Sequence, residues 1–234
     1  MILYAANLEA PIALRYAARL EAAGTRSRFS HSLDASRITQ HEDSWSWRAP
    51  GLAARFRALQ RSVPIDLLED LWPGAVRWHA VAPLCEARIE VENRSFEGLG
   101  YLERLELAVP PWQLPLGRLV WGRFVHAQAG LVWIDWEGPH RLTIVLRDGA
   151  RIEGTIEPDR VCAAGMQLEI GERQVLREGT LGRVALAGIS ALSRIAPVEF
   201  LRTTERKTLS RGRLTRGNEV LEGWIIDEVV TWEH

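Results

Sequence analysis

The sequence predicts a mainly β protein, an antiparallel barrel or sandwich with a short, partly helical N-terminal portion. After Pro73, apolar and polar residues alternate with a period of two almost throughout the chain, which is the pattern of half-buried strands. Turn-forming pairs such as Asp148-Gly149 separate these runs at short, regular intervals, as in antiparallel folds. Closing such a sheet into a barrel would also hide its edges.

The N-terminal portion, residues 1–73, is predicted to combine helices with one strand. Residues 11–23 place apolar side chains on one stripe of a helix, and Pro64 suits the first position of another. The expected helices are 11–23, 51–60 and 64–71, and the expected strand is 43–48.

The larger portion, residues 74–234, is predicted to be the barrel. Its expected strands are 76–82, 87–92, 100–109, 119–125, 131–136, 141–146, 151–156, 167–170, 183–187, 198–203, 207–214 and 222–232.

Composition excludes several classes of protein. The chain has 29 basic and 30 acidic residues, so no basic field favours nucleic acid as a partner. Two cysteines, 85 and 162, predict neither a disulfide framework nor a thiolate metal site. No apolar run approaches the roughly 18 residues of a membrane span, and the first residues do not resemble a signal peptide. We expect a cytoplasmic protein with no transmembrane segment.

Tryptophan is the residue type that points to a function. The ten tryptophans occur in pairs along the sequence, and most of them lie in alternating runs that also carry a carboxylate. Large aromatic walls with a few placed polar groups are typical of small-molecule sites. The alternative is that they are ordinary core aromatics. The pairs are Trp45/Trp47, Trp72/Trp78, Trp112/Trp121, Trp133/Trp136 and Trp224/Trp232.

Two acidic residues are predicted to share a strand face with aromatic residues. Glu103 lies on the same side of its strand as Tyr101, together with apolar residues. Glu228 shares a side with Trp224, although both sides of that strand are apolar. A buried carboxyl group has its pKa raised by desolvation, which makes it a usable general acid or base.

One further acidic residue and one basic residue are also predicted to share a strand face with a tryptophan. Asp135 shares a side with Trp133, and Arg123 shares one with Trp121. A purely structural alternative is that Arg123 pairs with Glu103 or with Asp135 as an internal ion pair.

The remaining candidates for chemistry are weaker. His79, beside Trp78, is either an acid or base or the cap of a loop. The other histidines lack the spacing of metal ligands, and no Gly-X-Ser-X-Gly, Walker or Gly-X-Gly-X-X-Gly sequence opening a helix occurs. We therefore expect neither a metal nor a cofactor.

The residues from Trp78 to Trp136, with the GWIIDEVVTW sequence near the end, resemble the lipocalin-like superfamily of carotenoid 1,2-hydratases (hydroxyneurosporene synthases) and lipocalin-fold Diels–Alderases. The best motif is a Gly-X-Gly-Tyr-X-acid strand, here Gly98, Gly100, Tyr101 and Glu103. Glu103 stands where the hydratases carry Asp. Their upstream His-X-Trp is matched only at the tryptophan.

The resemblance implies a lipocalin-like barrel that binds an apolar, isoprenoid- or polyketide-like molecule and hydrates, isomerises or cyclises it at a carbon–carbon double bond. Glu103 would donate the proton and Tyr101 would orient it. Trp121 and Trp133 would stabilise positive charge, and Glu228 or Asp135 would accept a proton. The other residues expected to line the site are Trp78, His79, Arg123 and Trp224. An apolar substrate would bring such a protein to a membrane surface as a peripheral partner.

Two other functions remain open from the sequence. A non-catalytic carrier would use the same pocket, with Glu103 and Arg123 as an internal pair. A structural interaction module would instead expose a patch of tryptophans. The sequence leaves the ligand and the oligomeric state undetermined.

Overall fold

The protein is mainly β, and the strands of its described residues are arranged in three antiparallel sheets. The structure, a computed structural model, describes residues 1–8, 14–23, 26–32, 37–184 and 196–232. Within these ranges no helix is long and apolar enough to span a bilayer.

Nineteen strands are found in the described residues. They are β1 (Ile2–Leu8), β2 (Leu14–Ala23), β3 (Arg26–Ser32), β4 (Arg37–His41), β5 (Ser44–Ala49), β6 (Leu52–Ala58), β7 (Ile65–Asp66), β8 (Val76–Val91), β9 (Arg94–Leu107), β10 (Arg118–His126), β11 (Ala129–Glu137), β12 (Leu142–Arg147), β13 (Ala150–Ile152), β14 (Gly154–Glu157), β15 (Arg160–Ala163), β16 (Met166–Ile170), β17 (Gln174–Thr180), β18 (Thr204–Arg216) and β19 (Glu219–Thr231). Short helices span Leu181–Val184 and Val198–Arg202, and a 3-10 turn spans Pro111–Gln113.

The chain forms two compact units. The first unit is Met1–Leu59 with Cys85–Gly100, and the second is Gln60–Leu84 with Tyr101–His234. The long strands β8 and β9 each contribute residues to both units. A domain boundary between residues 73 and 74 stays a prediction.

The first unit corrects the prediction that the N-terminal portion is partly helical. Residues 14–23 form strand β2, which pairs with β1 on one side and β3 on the other. Tyr16, Ala18 and Leu20 are buried on one face of this strand, and Ala17 is buried on the other. Pairing on both edges satisfies its backbone groups. Residues 11–13 of the predicted helix lie outside the described residues.

The other two predicted helices are also wrong. Residues 52–58 form β6, between β5 and β8, with Ala54 and Phe56 buried. Residues 64–71 contain the short strand β7 followed by turns, which the Asp66 carboxylate stabilises by accepting the backbone N–H groups of Leu68 and Gly74. The strand predicted at 43–48 is confirmed as β5.

The second unit contains a nearly closed antiparallel barrel, as the alternating pattern after Pro73 predicts. Its sheet runs β13-β12-β11-β10-β19-β18-β16-β15-β14, with β17 also paired to β18, and β12 contacts β14 across the gap. The predicted strand 198–203 is wrong, because a short helix occupies most of it, and residues 183–184 of the predicted strand 183–187 are also helical. Residues 185–187 lie outside the described part.

The barrel interior is packed with side chains. Trp133 and Phe124 are almost fully buried there among aliphatic residues of the surrounding strands. Glycine makes room for both rings, since a Cβ at Gly122 would lie 2.1 Å from the Trp133 ring and one at Gly223 would lie 2.6 Å from Phe124. Such contacts are far inside van der Waals distance.

A second core covers the opposite, outer face of the same strands. Trp78 and Ala80 of β8 pack there against Ile134 and Trp136 of β11. Strand β11 is therefore buried on both faces, at every position from Ala129 to Trp136. The candidate site lies on this outer face, at the partly buried margin of the second core.

Candidate functional site

The centre of the candidate site is the carboxyl group of Glu103. Tyr101 Oη donates a hydrogen bond to Glu103 Oε2 at 2.7 Å, and Trp78 Nε1 donates to the same oxygen at 3.4 Å. Tyr101 and Glu103 are two residues apart on β9 and therefore share a face, as predicted. Glu103 Oε1 receives no hydrogen bond from the described residues, so one carboxyl oxygen is held and the other is available.

Burial controls the protonation of this pair. Burial raises the pKa of Glu103. Arg123, the two hydrogen bonds and Lys207 each lower this pKa, but burial has the larger effect. It also raises the pKa of the Tyr101 phenol, and the charge and hydrogen bond of Glu103 act in the same direction. Both groups are held in their neutral, proton-carrying forms over a wider pH range than usual.

Aromatic rings surround the Glu103 carboxyl group. Trp78 and Trp121 meet edge to face, with ring centroids 6.1 Å apart, a favourable aromatic geometry. The Trp121 indole N–H approaches the Tyr101 phenol closely enough to influence its pKa. It is nevertheless buried without a hydrogen-bond acceptor of good geometry among the described residues, which leaves a donor in the site.

Arg123 lies above the ring of Tyr101. Its guanidinium carbon is 5.0 Å from the ring centroid, within the range of a cation–π contact. Among the described ion pairs, Arg123 forms none with Glu103 or Asp135 within 4.0 Å. The internal ion pair considered from the sequence is therefore not formed. Arg123 still lowers the pKa of Glu103 by its positive charge, without a direct contact.

Glu228 borders the same region from β19. In the strand register it lies directly opposite Trp121 on one side and Lys207 on the other, so the three side chains share a face. Lys207, which is 3 % exposed, forms an ion pair with Glu228, and its Nζ lies 3.9 Å from Glu205. Arg177 donates from Nε and Nη2 to the Glu205 carboxylate at 2.5–2.9 Å.

The two carboxylates beside Lys207 differ in protonation. Burial would raise the pKa of Glu228, but the Lys207 ammonium and its hydrogen bond, with Arg177 and Arg123, lower it overall. The pKa of Glu205 is raised, by burial first and by the charge of Glu228 second. The surroundings of Glu228 thus favour its ionised form.

Two residues predicted for the site lie on the other face of the sheet. Trp133 is opposite Gly122 in the register, and Asp135 is opposite Val120, so both alternate with Trp121 and point to the barrel side. Trp133 is part of the interior packing. Asp135 accepts a hydrogen bond from Thr143 Oγ1 at 2.9 Å. The structure does not bring either residue to Glu103.

Two other predicted residues stand apart from the cluster. His79 follows Trp78 on β8 and points to the opposite side, where its Nε2 lies 2.9 Å from the Ser62 carbonyl oxygen. Trp224 is 48 % exposed, and the Arg211 guanidinium stacks 3.7 Å from its ring centroid. The described residues contain no group of three or more potential metal ligands.

Sequence reasoning missed Lys207, Glu205 and Arg177. Lys207 and Glu205 are two residues apart on β18, so their shared face was readable from the sequence. Nothing local showed that this face meets Glu228 of β19 and Arg177 of β17. That information lies in the pairing of three strands.

Comparison with known proteins gives no family model that matches this chain, and no curated protein is significantly similar to it. The residues of the site are therefore what indicates a function for this chain.

Proposed function

We propose that this chain is a lipocalin-like enzyme that performs acid–base chemistry at a carbon–carbon double bond of an apolar, isoprenoid- or polyketide-like molecule. One observation carries the proposal. Tyr101 and Trp78 both donate to Oε2 of Glu103 and leave Oε1 to carry a proton, in surroundings that raise the pKa of the carboxyl group. A positioned carboxylic acid that stays protonated is the group required to protonate an alkene.

A second carboxyl group with the opposite pKa shift supports the proposal. Lys207 lowers the pKa of Glu228 and favours its ionised form, whereas burial raises the pKa of Glu103 and favours its protonated form. Two acids whose pKa values are pushed apart by their surroundings are a recognised sign of an acid and a base in one site. We assign Glu103 as the acid and Glu228 as the base, in preference to Asp135.

The proposed reaction balances without a cofactor. The Glu103 carboxyl proton adds to one alkene carbon, leaving the Glu103 carboxylate and a carbocation at the neighbouring carbon. The face of Trp121, which is only partly buried, favours that positive charge. In hydration a water oxygen bonds to the cation and gives its proton to Glu228. In isomerisation a carbon next to the cation loses a proton to Glu228, and in cyclisation a second double bond attacks first.

Hydration, isomerisation and cyclisation all restore the starting protonation states of the two acids in the same way. Glu228 returns its proton to solvent, and Glu103 takes one up again. Arg123, held over the Tyr101 ring, favours the carboxylate that Glu103 becomes during the reaction, without an ion pair that would fix that form beforehand.

Solvent deuterium uptake tests the proposal. The protein is first screened by tryptophan fluorescence quenching with polyenes, terpenes and fatty acids, and bound compounds are then incubated with it in D2O. Hydration, isomerisation and cyclisation all deliver one solvent-derived deuteron to carbon, which mass spectrometry detects. We expect uptake with the wild type, loss of uptake with Glu103→Gln, and unchanged quenching with that variant.

The control variant is Glu106→Gln. Glu106 is an exposed residue of the same strand, paired with Arg104 at 2.5 Å, and its substitution should leave both quenching and uptake unchanged. If the wild-type protein binds a compound but no deuterium is taken up, the protein is a non-catalytic carrier and not an enzyme. Absence of quenching by all three classes of compound would favour the structural interaction module.

A further inference from the structure

The first unit carries an open cavity lined by arginines on one face of the β4-β5-β6-β8 sheet. The cavity has a volume of about 320 Å³ and is bordered by Arg48, Arg55, Arg88 and Glu90, with Ser46 and Ala53 between them. We call it the arginine trough. Its volume is at the lower end of the range for small-molecule sites.

The strand register explains the shape of the arginine trough. Ser46 of β5 lies opposite Arg55 of β6, which lies opposite Arg88 of β8. In the next row Arg48 lies opposite Ala53, which lies opposite Glu90. Residues opposite each other share a face, so two short side chains form the floor and four long charged ones form the walls.

The charges in the trough are poorly balanced by the protein itself. Neither Arg48 nor Arg55 has a carboxylate within ion-pair distance among the described residues. Arg88 lies 3.4 Å from Glu90 and from Glu97. These arginines therefore outnumber the acids able to neutralise them.

Two pairs of like charges are also placed directly opposite each other on this face. Arg55 faces Arg88, and Arg37 of β4 faces Arg48. Directly opposed like charges in neighbouring strands are destabilising. A bound anion would relieve that repulsion and would be held by planar guanidinium groups, which match phosphate and carboxylate oxygens in pairs.

We propose that the arginine trough binds a small molecule with two or more oxoanion groups, phosphate or carboxylate. Arg48, Arg55 and Arg88 would hold the oxygens, and Ser46 Oγ on the floor would donate one further hydrogen bond. The proposal does not depend on the proposed function, because the trough lies in the first unit and Glu103 lies in the second.

Calorimetric titration of the full chain at low ionic strength tests the proposal. The probes are pyrophosphate and citrate, which distinguish phosphate from carboxylate groups. We expect at least one of them to bind with one molecule per chain, and Arg48→Gln and Arg55→Gln each to weaken binding by about tenfold or more. Ala53→Glu, which adds a carboxylate to the floor, should abolish binding.

The matched control is Arg57→Gln. Arg57 lies two residues from Arg55 on the same strand and face, but it pairs with Glu86 at 2.6 Å and does not line the cavity. Its substitution should change the affinity by less than about threefold. Thermal unfolding of each variant confirms folding, and Arg55→Gln should not lower the midpoint because it removes a repulsive pair.

Three results would overturn the proposal. The first is that neither pyrophosphate nor citrate binds. The second is that Arg57→Gln weakens binding as much as Arg55→Gln, which would mean a diffuse surface charge effect. The third is that a single-stranded oligonucleotide binds more tightly than either small anion and depends on the same arginines.

Discussion

Trp121 and Glu228 face each other directly across the β10–β19 pair, and Trp121 also meets the ring of Trp78, whose indole N–H is bonded to Glu103. Trp121 thus lies opposite the acid with a lowered pKa and packs against the tryptophan that is hydrogen-bonded to the acid with a raised pKa. The proposed acid and the proposed base are therefore connected through this one ring.

The raised pKa of Glu103 predicts a pH-dependent loss of stability. A carboxyl group whose pKa is higher in the folded than in the unfolded state contributes stability below its unfolded pKa, and this is lost as the pH rises through the folded value. Glu103→Gln has no such loss. We expect the free energy of unfolding, measured by urea titration across pH, to fall less steeply with rising pH in the variant. Parallel profiles for wild type and variant would show that Glu103 is not desolvated.

The same substitution has a predicted effect on catalysis. A general acid contributes about 10²- to 10⁴-fold to a rate, so Glu103→Gln should lower the rate of deuterium uptake by at least about a hundredfold. Quenching of tryptophan fluorescence should keep its concentration dependence. An equal loss of affinity and rate would instead assign Glu103 to ligand binding.

Tyr101→Phe tests how Glu103 is oriented. The variant removes the 2.7 Å hydrogen bond to Oε2, which favours the ionised carboxylate, so the pKa of Glu103 should rise further. Carbon-13 NMR titration of labelled glutamate would measure this change. The loss of one partly buried hydrogen bond should also cost about 1 kcal/mol of stability. A lower Glu103 pKa in the variant would contradict the orientation seen here.

Lys207→Met tests the ion pairs behind the site. The substitution leaves Glu205 and Glu228 without the buried ammonium, and removing one partner of a buried pair costs about 3–5 kcal/mol. The double variant Lys207→Met/Glu228→Gln should recover part of that loss, as measured by chemical denaturation in a double-mutant cycle. Additive effects of the two single changes would show that the residues are not coupled.

Local patterns in the sequence were sufficient for part of this structure. The shared face of Tyr101 and Glu103 was predictable because it depends only on a separation of two residues within one strand. The antiparallel barrel was predictable for the same reason, repeated over many strands. Residues 14–23 were not, because alanine favours a helix, and only pairing with β1 and β3 overrides that preference.

Relations between strands could not be predicted. The sequence assigns Trp121 and Trp133 each to a face of its own strand, but it does not say which faces coincide. The register places Trp133 opposite Gly122 rather than Trp121, which sends the two rings to opposite sides of the sheet. A shift of one residue would have reversed this arrangement. The contact between Lys207 and Glu228 was not predictable either, because it depends on the register between β18 and β19.

Gly122 should tolerate no larger side chain, because the barrel interior is filled by Trp133. A Cβ at this position would lie 2.1 Å from the Trp133 ring, so Gly122→Ala must displace the indole or the strand, at a cost of about 1–3 kcal/mol. Gly98→Ala is the matched control, since a Cβ at that strand position meets nothing within 4 Å and should change stability by less than about 0.5 kcal/mol. Urea denaturation followed by tryptophan fluorescence compares the two variants. If Gly122→Ala were as stable as Gly98→Ala, the interior would have room for a guest, and the barrel itself would become a candidate ligand site.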